Sequence, residues 1–398
     1  MEGRQVLKIL QVTSFFRPSW EAGGIAKICY DISKRLAQRG HEVTVYTTDG
    51  FKSRVNVQKN CRVFVEDMNV FYFSNMSLFL ASRNLCTPYM APLIARKHME
   101  EFDIIHVHTF RTILAILIWH YANKYGIPYV LQAHGSVLPF FQRQRLKQVF
   151  DSLFGYRILK DASKVIAVSQ MEADQYASMG LSEEKIEITP HGINLSQFNE
   201  LPKRGAFRRK YAIDSQEKII LYVGRIHRIK GVDILIKAYA NLLREFRHAK
   251  LVIVGPDDGY LSSCKELAIR LGVEKKILFT GPLYGGEKLQ VYVDADVFVS
   301  PSRYEVFGMT VLEACACAKS VVATNVAAAA QGIIINGRTG FLVQPENVLE
   351  LAEALGYLLT NEAESLKMGM QAREDVMNMF SVQGVVDKME NLYEKILR

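Results

Sequence analysis

Residues 301–314 read PSRYEVFGMTVLEA and follow directly on the apolar run Val297–Ser300. A short β-branched run, a Pro- and Gly-containing turn and an Ala- and Leu-bearing stretch together predict strand, turn and helix. Gly308 lets backbone approach a ligand closely. The amides that open the helix after it present a positive dipole end suited to phosphate. Glu305 stands in the turn and Glu313 about one turn into the helix, eight residues apart. A lone glutamate on a helix is usually a solvated face. Two of them, flanking Phe307-Gly308 behind a buried strand, point to polyol recognition, with a ribose diol suiting Glu313 and a second polyol suiting Glu305.

The same rhythm extends in both directions. Around this segment, strand-like runs at Lys218–Val223, Lys250–Val254, Lys276–Phe279, Val297–Ser300 and Ser320–Ala323 alternate with helical stretches, and Asn347–Thr360 and Ala363–Met379 add two helices. Upstream, Val6–Thr13, His41–Thr48, Asp103–His108, Pro128–Gln132 and Lys164–Ser169 read as strands, with helices over Ile25–Gln38, Thr112–Lys124 and Arg143–Lys160. Alternation of this kind predicts parallel sheets covered by helices on both faces. The rhythm breaks over Thr189–Arg204, which has two prolines and little periodicity. The expected architecture is therefore α/β, with two Rossmann-like doubly wound domains, residues 1–194 and 195–380. Such sheets bind ligands at the carboxyl ends of their strands, so facing domains would share a cleft.

Length agrees, because one hydrophobic core stops growing at about 250–300 residues and the chain has 398. With 49% hydrophobic and 23% charged residues it has a globular composition. No apolar run approaches the ~20 residues of a membrane helix, and no signal peptide is evident at the start. Six scattered cysteines lack zinc spacing and suit buried residues in a reducing compartment. The formal charge of +8 is compatible with nucleic acid, anionic lipid or phosphate-bearing small ligands. No nucleic-acid-reading motif accompanies it, so no nucleic-acid partner is expected. The sequence also lacks G-x-G-x-x-G after the first strand, a P-loop motif and G-x-S-x-G, which disfavours hydride transfer, P-loop phosphotransfer and α/β-hydrolase chemistry.

Three further segments carry chemistry. In VGRIHRIKG (223–231), Arg225 and Lys230 follow a strand end and suit a diphosphate clamp, Arg as a planar fork and Lys as a compact charge. Gly23 and Gly24 precede the first long helix, where backbone amides can cradle phosphate. His134 ends a buried strand in Gln132-Ala133-His134-Gly135. His106 and His108, two apart on a strand, have no third ligand nearby in sequence and are read as lining or structural residues.

Taken together these segments resemble the retaining nucleotide-sugar glycosyltransferases of family 4, the group 1 type, with the GT-B fold. The resemblance covers nearly the whole chain. It rests on the Gly-Gly loop, RGHEVTV (39–45), DIIHVH (103–108), His134, PHGI (190–193), GRIHRIKG (224–231) and NGRTGFLV (336–343). Its most specific element is E-x-F-G-x-x-x-x-E from Glu305 to Glu313.

The resemblance implies transfer of a hexose from a UDP- or GDP-sugar, GDP-mannose included, to an acceptor hydroxyl with retention at the anomeric carbon. The product would belong to cell-surface polysaccharide or glycolipid synthesis. Glu313 would hold the donor ribose and Glu305 the transferred sugar. Arg225 and Lys230 would bind the diphosphate, with amides around Val306, Phe307, Gly308 and Met309. Gly23 and Gly24 would approach the distal phosphate. His134 would sit near the reacting carbon, and Leu283 and Tyr284 near the base. The resemblance implies no cofactor and no metal. The first domain would take a saccharide or lipid-linked acceptor, and the helix at 381–398 would pack back on it. The alternatives are an epimerase or phosphorylase of the same fold, or a non-catalytic sugar-nucleotide-binding protein.

Two features stand apart. Residues 324–331 read TNVAAAAQ where relatives often carry Gly-Gly and an acidic residue. Residues 140–160 carry five Arg or Lys against one Asp, with apolar residues interleaved. That pattern fits either a solvated amphipathic helix or a helix on anionic lipid. The expected location is cytoplasmic, with a peripheral place on the inner membrane face under the second reading.

Overall fold

A computed structural model describes residues 5–138, 144–326 and 332–398. Residues 140–143 of the basic stretch, and the alanine run 327–330 with Gln331, lie outside the described residues. The chain forms two compact units, residues 1–192 with 382–398, and residues 193–381.

The first unit is built on an eight-stranded sheet. Its strands are β1 (Lys8–Val12), β2 (Glu42–Thr48), β3 (Arg62–Val65), β4 (Met68–Phe73), β5 (Ile104–Val107), β6 (Tyr129–Gln132), β7 (Lys164–Ala167) and β8 (Ile186–Ile188). Their order is β3-β4-β2-β1-β5-β6-β7-β8, and every neighbouring pair is parallel except the β3/β4 hairpin. The inner strands are buried along almost their whole length, as continuous apolar runs in a sheet covered on both faces should be. The helix Val382–Leu397 belongs to this unit and packs on the helix Gly24–Gln38. The contact is tied by Arg39, whose Nη2 pairs with Asp387 Oδ1 at 2.6 Å, and by His41 Nε2, 3.1 Å from Glu390 Oε1.

The second unit has a six-stranded, all-parallel sheet. Its strands are β9 (Lys218–Val223), β10 (Ala249–Val254), β11 (Ile277–Gly281), β12 (Val297–Ser300), β13 (Ser320–Thr324) and β14 (Gly340–Val343), in the order β11-β10-β9-β12-β13-β14. The chain winds from β9 to β11 in one direction, then returns to place β12 on the other side of β9. Pairing between β9 and β12 ends at Leu221↔Phe298, short of both carboxyl ends. A crevice at that reversal is where sheets of this type take ligands.

Several expectations need correction. The helix expected over Arg143–Lys160 is a helix at Gln144–Phe150, a π-helical stretch at Asp151–Gly155 and a helix at Tyr156–Asp161. The π stretch turns Asp151 inward, where Arg111 grips it through Nε at 2.8 Å and Nη2 at 2.6 Å. Gly155 is required there, because a Cβ would stand 2.6 Å from Asp151 Oδ1. Strands β3, β4, β8 and β14 are additional to the sequence-based strands. Of the six cysteines, Cys61 is exposed and the other five are buried.

Candidate functional site

In the second unit Arg225 and Lys230 follow the carboxyl end of β9, and Glu305 and Gly308 follow that of β12, the two strands between which the sheet order reverses. Arg225 leaves β9 in the loop after Gly224, and its guanidinium pairs with Asp258. Lys230 is not in the first turn of the following long helix. It ends a separate short turn, Arg228–Lys230, closed by Gly231 at φ +68°. Only glycine fits at 231: a Cβ would lie 1.9 Å from the carbonyl oxygen of Pro301, the residue after β12. The turn is thus pressed against the strand end that begins the PSRYEVFG loop. Across that contact Lys230 Nζ pairs with Glu305 Oε2, both side chains four-fifths or more buried. Ser302 Oγ also lies 3.5 Å from Glu305 Oε2.

Arg303 locks this arrangement. Its backbone N–H donates to Ile229 O at 2.8 Å, and its two Nη atoms each reach an Asp233 carboxylate oxygen at 2.8 Å. Bonding to Asp233 and Glu346 raises the Arg303 pKa further above its ordinary value, so it stays charged. Arg303 stands inside the quoted loop but was not singled out there, and its partners lie 43 and 70 residues away.

Gly308 caps the helix Met309–Ala316, with no side chain capping its amide end. Val306 and Phe307 are buried beneath, and the Phe307 ring packs 6.3 Å from that of Phe380. Glu313 is the fifth residue of this helix. One of its oxygens lies 2.6 Å from Lys288 Nζ and accepts from Tyr292 O–H at 2.9 Å. Lys288 and Tyr292 were not legible as site residues from their own segment. Leu283 is buried and Tyr284 exposed, just before the helix Gly285–Asp294. Each carboxylate thus already has a cation beside it, and a carboxylate keeps acceptor capacity for hydroxyls besides one such partner. The cations and the uncapped helix end are suited to an anion.

In the first unit, Gly23 at φ +103° is the cap of the helix that Gly24 begins. His134 lies just beyond β6 in a left-handed conformation, φ +50°. That turn is held by Glu172, which accepts from Gly135 N–H and, at 2.8 Å, from Val168 N–H. Burial pushes the Glu172 carboxyl up to about 7. His108, just past β5, and His191, past β8, meet His134 from either side, at 3.1 Å and 3.3 Å between ring nitrogens. Burial pushes His106 and His191 down to about 3, and holds His108 and His134 well below the usual imidazole range. His191 was missed as a site residue, although its segment, PHGI, was singled out. No group of three or more residues arranged to hold a metal is found among the described residues.

Comparison with known proteins bears on the family and the fold. Residues 203–375 match the family described as glycosyl transferases group 1, and residues 22–197 match glycosyltransferase family 4. An uncharacterized glycosyltransferase of Methanocaldococcus jannaschii is 28% identical over 98% of both chains. The D-inositol 3-phosphate glycosyltransferase of Nocardia farcinica is 28% identical over 88% of this chain and 80% of its own. Among solved structures, Anabaena HepE in complex with UDP-glucose superposes with a TM-score of 0.77 at 20% identity, covering 98% of this chain and all of that one. The fold is GT-B, two parallel-sheet α/β units of Rossmann type, and the chain belongs to the group 1 glycosyltransferases of family 4.

Proposed function

We propose that the protein transfers a hexose from a nucleoside-diphosphate sugar to an acceptor hydroxyl with retention of anomeric configuration, without a metal. One observation carries this reading: Arg225, Lys230, Glu305 and the uncapped helix end at Gly308 gather at the sheet reversal of the second unit. UDP is the favoured nucleotide, because HepE is complexed with UDP-glucose. The relatives named are transferases, which favours transfer over epimerisation. A polysaccharide or glycolipid product remains part of the proposal.

The donor C1–O bond to the diphosphate breaks while the acceptor oxygen bonds to C1 on the same face, and the acceptor proton passes to a donor phosphate oxygen. Charge accumulates on the leaving diphosphate. Arg225, Lys230 and the amino end of the helix that follows Gly308 would stabilise it, with preorganised donors worth about 10²–10³ in rate apiece. Glu313 would accept from the ribose diol and Glu305 from the transferred sugar. Leu283 and Tyr284 are proposed base contacts, Gly23 and Gly24 proposed phosphate contacts, and the turn that carries His134 a proposed donor contact. The test is nucleotide release across UDP- and GDP-sugars, with and without chelator. A Lys230→Ala variant should lose about 10²–10³ in kcat; unchanged turnover removes the clamp.

A second element concerns the acceptor. Leu146, Val149, Leu153 and Tyr156 are each more than half exposed, on a segment that also exposes Arg145, Arg157 and Lys160. Spacings of three and four place such residues on one helix face. We propose that this face rests on anionic lipid, each basic residue contributing ~1 kcal/mol near a charged surface. No described helix is long and apolar enough to cross a membrane.

A further inference from the structure

We propose that His108 and His191 are positioning residues that clamp the His134 imidazole between them as its Nε2–H tautomer.

His106 and His108 lie ring on ring with centroids 4.0 Å apart, His108 and His134 are 5.3 Å apart at 15°, and His134 and His191 are 5.0 Å apart at 23°. The groups facing this stack from neighbouring elements are Gln11 on β1, Gln132 on β6, Tyr393 on the last helix, and Glu172 and Tyr176 beneath the His134 turn. No cation faces it among these. A proton added to one ring would sit within one ring spacing of the next, away from water, so the rings are neutral. The lowered pKa of all four histidines, caused first by burial, agrees.

Neutral rings have one donor and one acceptor nitrogen, and the chain's direction is then set at one end. In the amide orientation of this structure Gln11 Oε1 lies 2.6 Å from His108 Nε2 and accepts from it, so His108 Nε2 carries the proton. His108 Nδ1 is left as acceptor and takes the Nε2–H of His134 at 3.1 Å. His134 Nδ1 is then the acceptor for His191 Nε2–H at 3.3 Å. Both His134 nitrogens are committed within the unit. Its side chain therefore works as a fixed strut rather than as an acid or base, and it steadies a residue held at φ +50°.

The tautomer is read by long-range ¹H–¹⁵N spectra of the full chain labelled at histidine nitrogen, independently of activity. His134 should show a protonated Nε2 and a bare Nδ1, without titration from about pH 8 to about pH 5.5, where an ordinary imidazole titrates. His108→Phe keeps a ring and removes the acceptor of His134 Nε2–H, whereas His108→Gln retains an amide oxygen to accept it. The Phe variant should give mixed His134 tautomers, and the Gln variant should restore one. The kinetic arm rests on the proposed transferase reading: kcat should fall about tenfold in the Phe variant, the scale of one hydrogen bond, with donor KM within about twofold, and recover in the Gln variant. A protonated Nδ1 in the wild type, a titrating His134, or an unchanged pattern in His108→Phe overturns the clamp. Tautomer mixing with unchanged kcat overturns the positioning role. If no donor is turned over, the spectra still decide the clamp while the transferase reading fails separately.

Discussion

Replacing Gly231 by Ala is the sharpest probe of how the second unit holds Lys230. The new Cβ would stand 1.9 Å from Pro301 O, a backbone atom. Ordinary contact requires more than 3 Å, so the turn must retreat by more than 1 Å. Pro301 resists, since Ser300 before it is in register with Ala323 of β13. The retreat therefore falls on Arg228–Lys230, and the Lys230–Glu305 pair opens. A left-handed alanine costs about 1–2 kcal/mol on its own, and a 1 Å misplacement of a positioned group can cost about 10²-fold in rate. Gly272 supplies the control, with φ +69° and open space around its Cβ position. Steady-state kinetics and thermal melts of both variants separate the two effects. Gly272→Ala should lose stability alone; Gly231→Ala should lose about 10² in kcat/KM as well. Wild-type kinetics in Gly231→Ala would refute the claim that this close approach sets the lysine.

Acidification should unfold the first unit before the second. Its four stacked histidines have folded pKa values below the usual 6.5, so their stabilising contribution is full above that pH and is lost as pH falls. Glu172 runs the other way, its raised pKa of about 7 making its contribution fade as pH rises through that value. Between about pH 7.5 and about pH 5.5 the histidines lose stabilising effect while the single Glu172 gains it, so the net effect of acidification is a loss of stability. Both tryptophans, Trp20 and Trp119, lie in this unit, so urea melts followed by their fluorescence report it selectively; a pH-independent midpoint would contradict the assignment. Asp258→Asn should tighten UDP binding about two- to fivefold by releasing Arg225 from a half-exposed pair worth at most ~1 kcal/mol, and weaker binding by calorimetry would count against Arg225 as a phosphate ligand. Leu146→Ser with Leu153→Ser should abolish sedimentation with anionic vesicles at low salt; retained binding would move the lipid contact elsewhere.

The buried parallel strands are legible in the sequence because they are short continuous apolar runs between turn residues, as KIILYV of β9 is. Less legible are β3 and β4, which form an antiparallel edge hairpin with β3 only half-covered, and β8, three residues long. β14 lay inside NGRTGFLV, which was singled out for its motif and not for its strand. In the site, Glu305, Glu313, Arg225 and Lys230 were legible because each stands in a compact local pattern. The residues that fix them, Arg303, Asp258, Lys288 and Tyr292, were not, because each acts across 20 or more residues of chain. Likewise, His134 was found from its strand end, while its clamp joins residues 26 and 57 positions away.

The central claim is that Arg225 and Lys230 hold a nucleoside diphosphate at the β9/β12 reversal. UDP titrated into the wild type and into the Arg225→Ala, Lys230→Ala double variant tests it most directly, with thermal unfolding as the readout. At 100 times its dissociation constant UDP should stabilise the wild type by ~2.7 kcal/mol, which for a unit of this size is a rise of roughly 5–10 °C. The double variant should show no rise. An equal rise in both proteins would contradict the account.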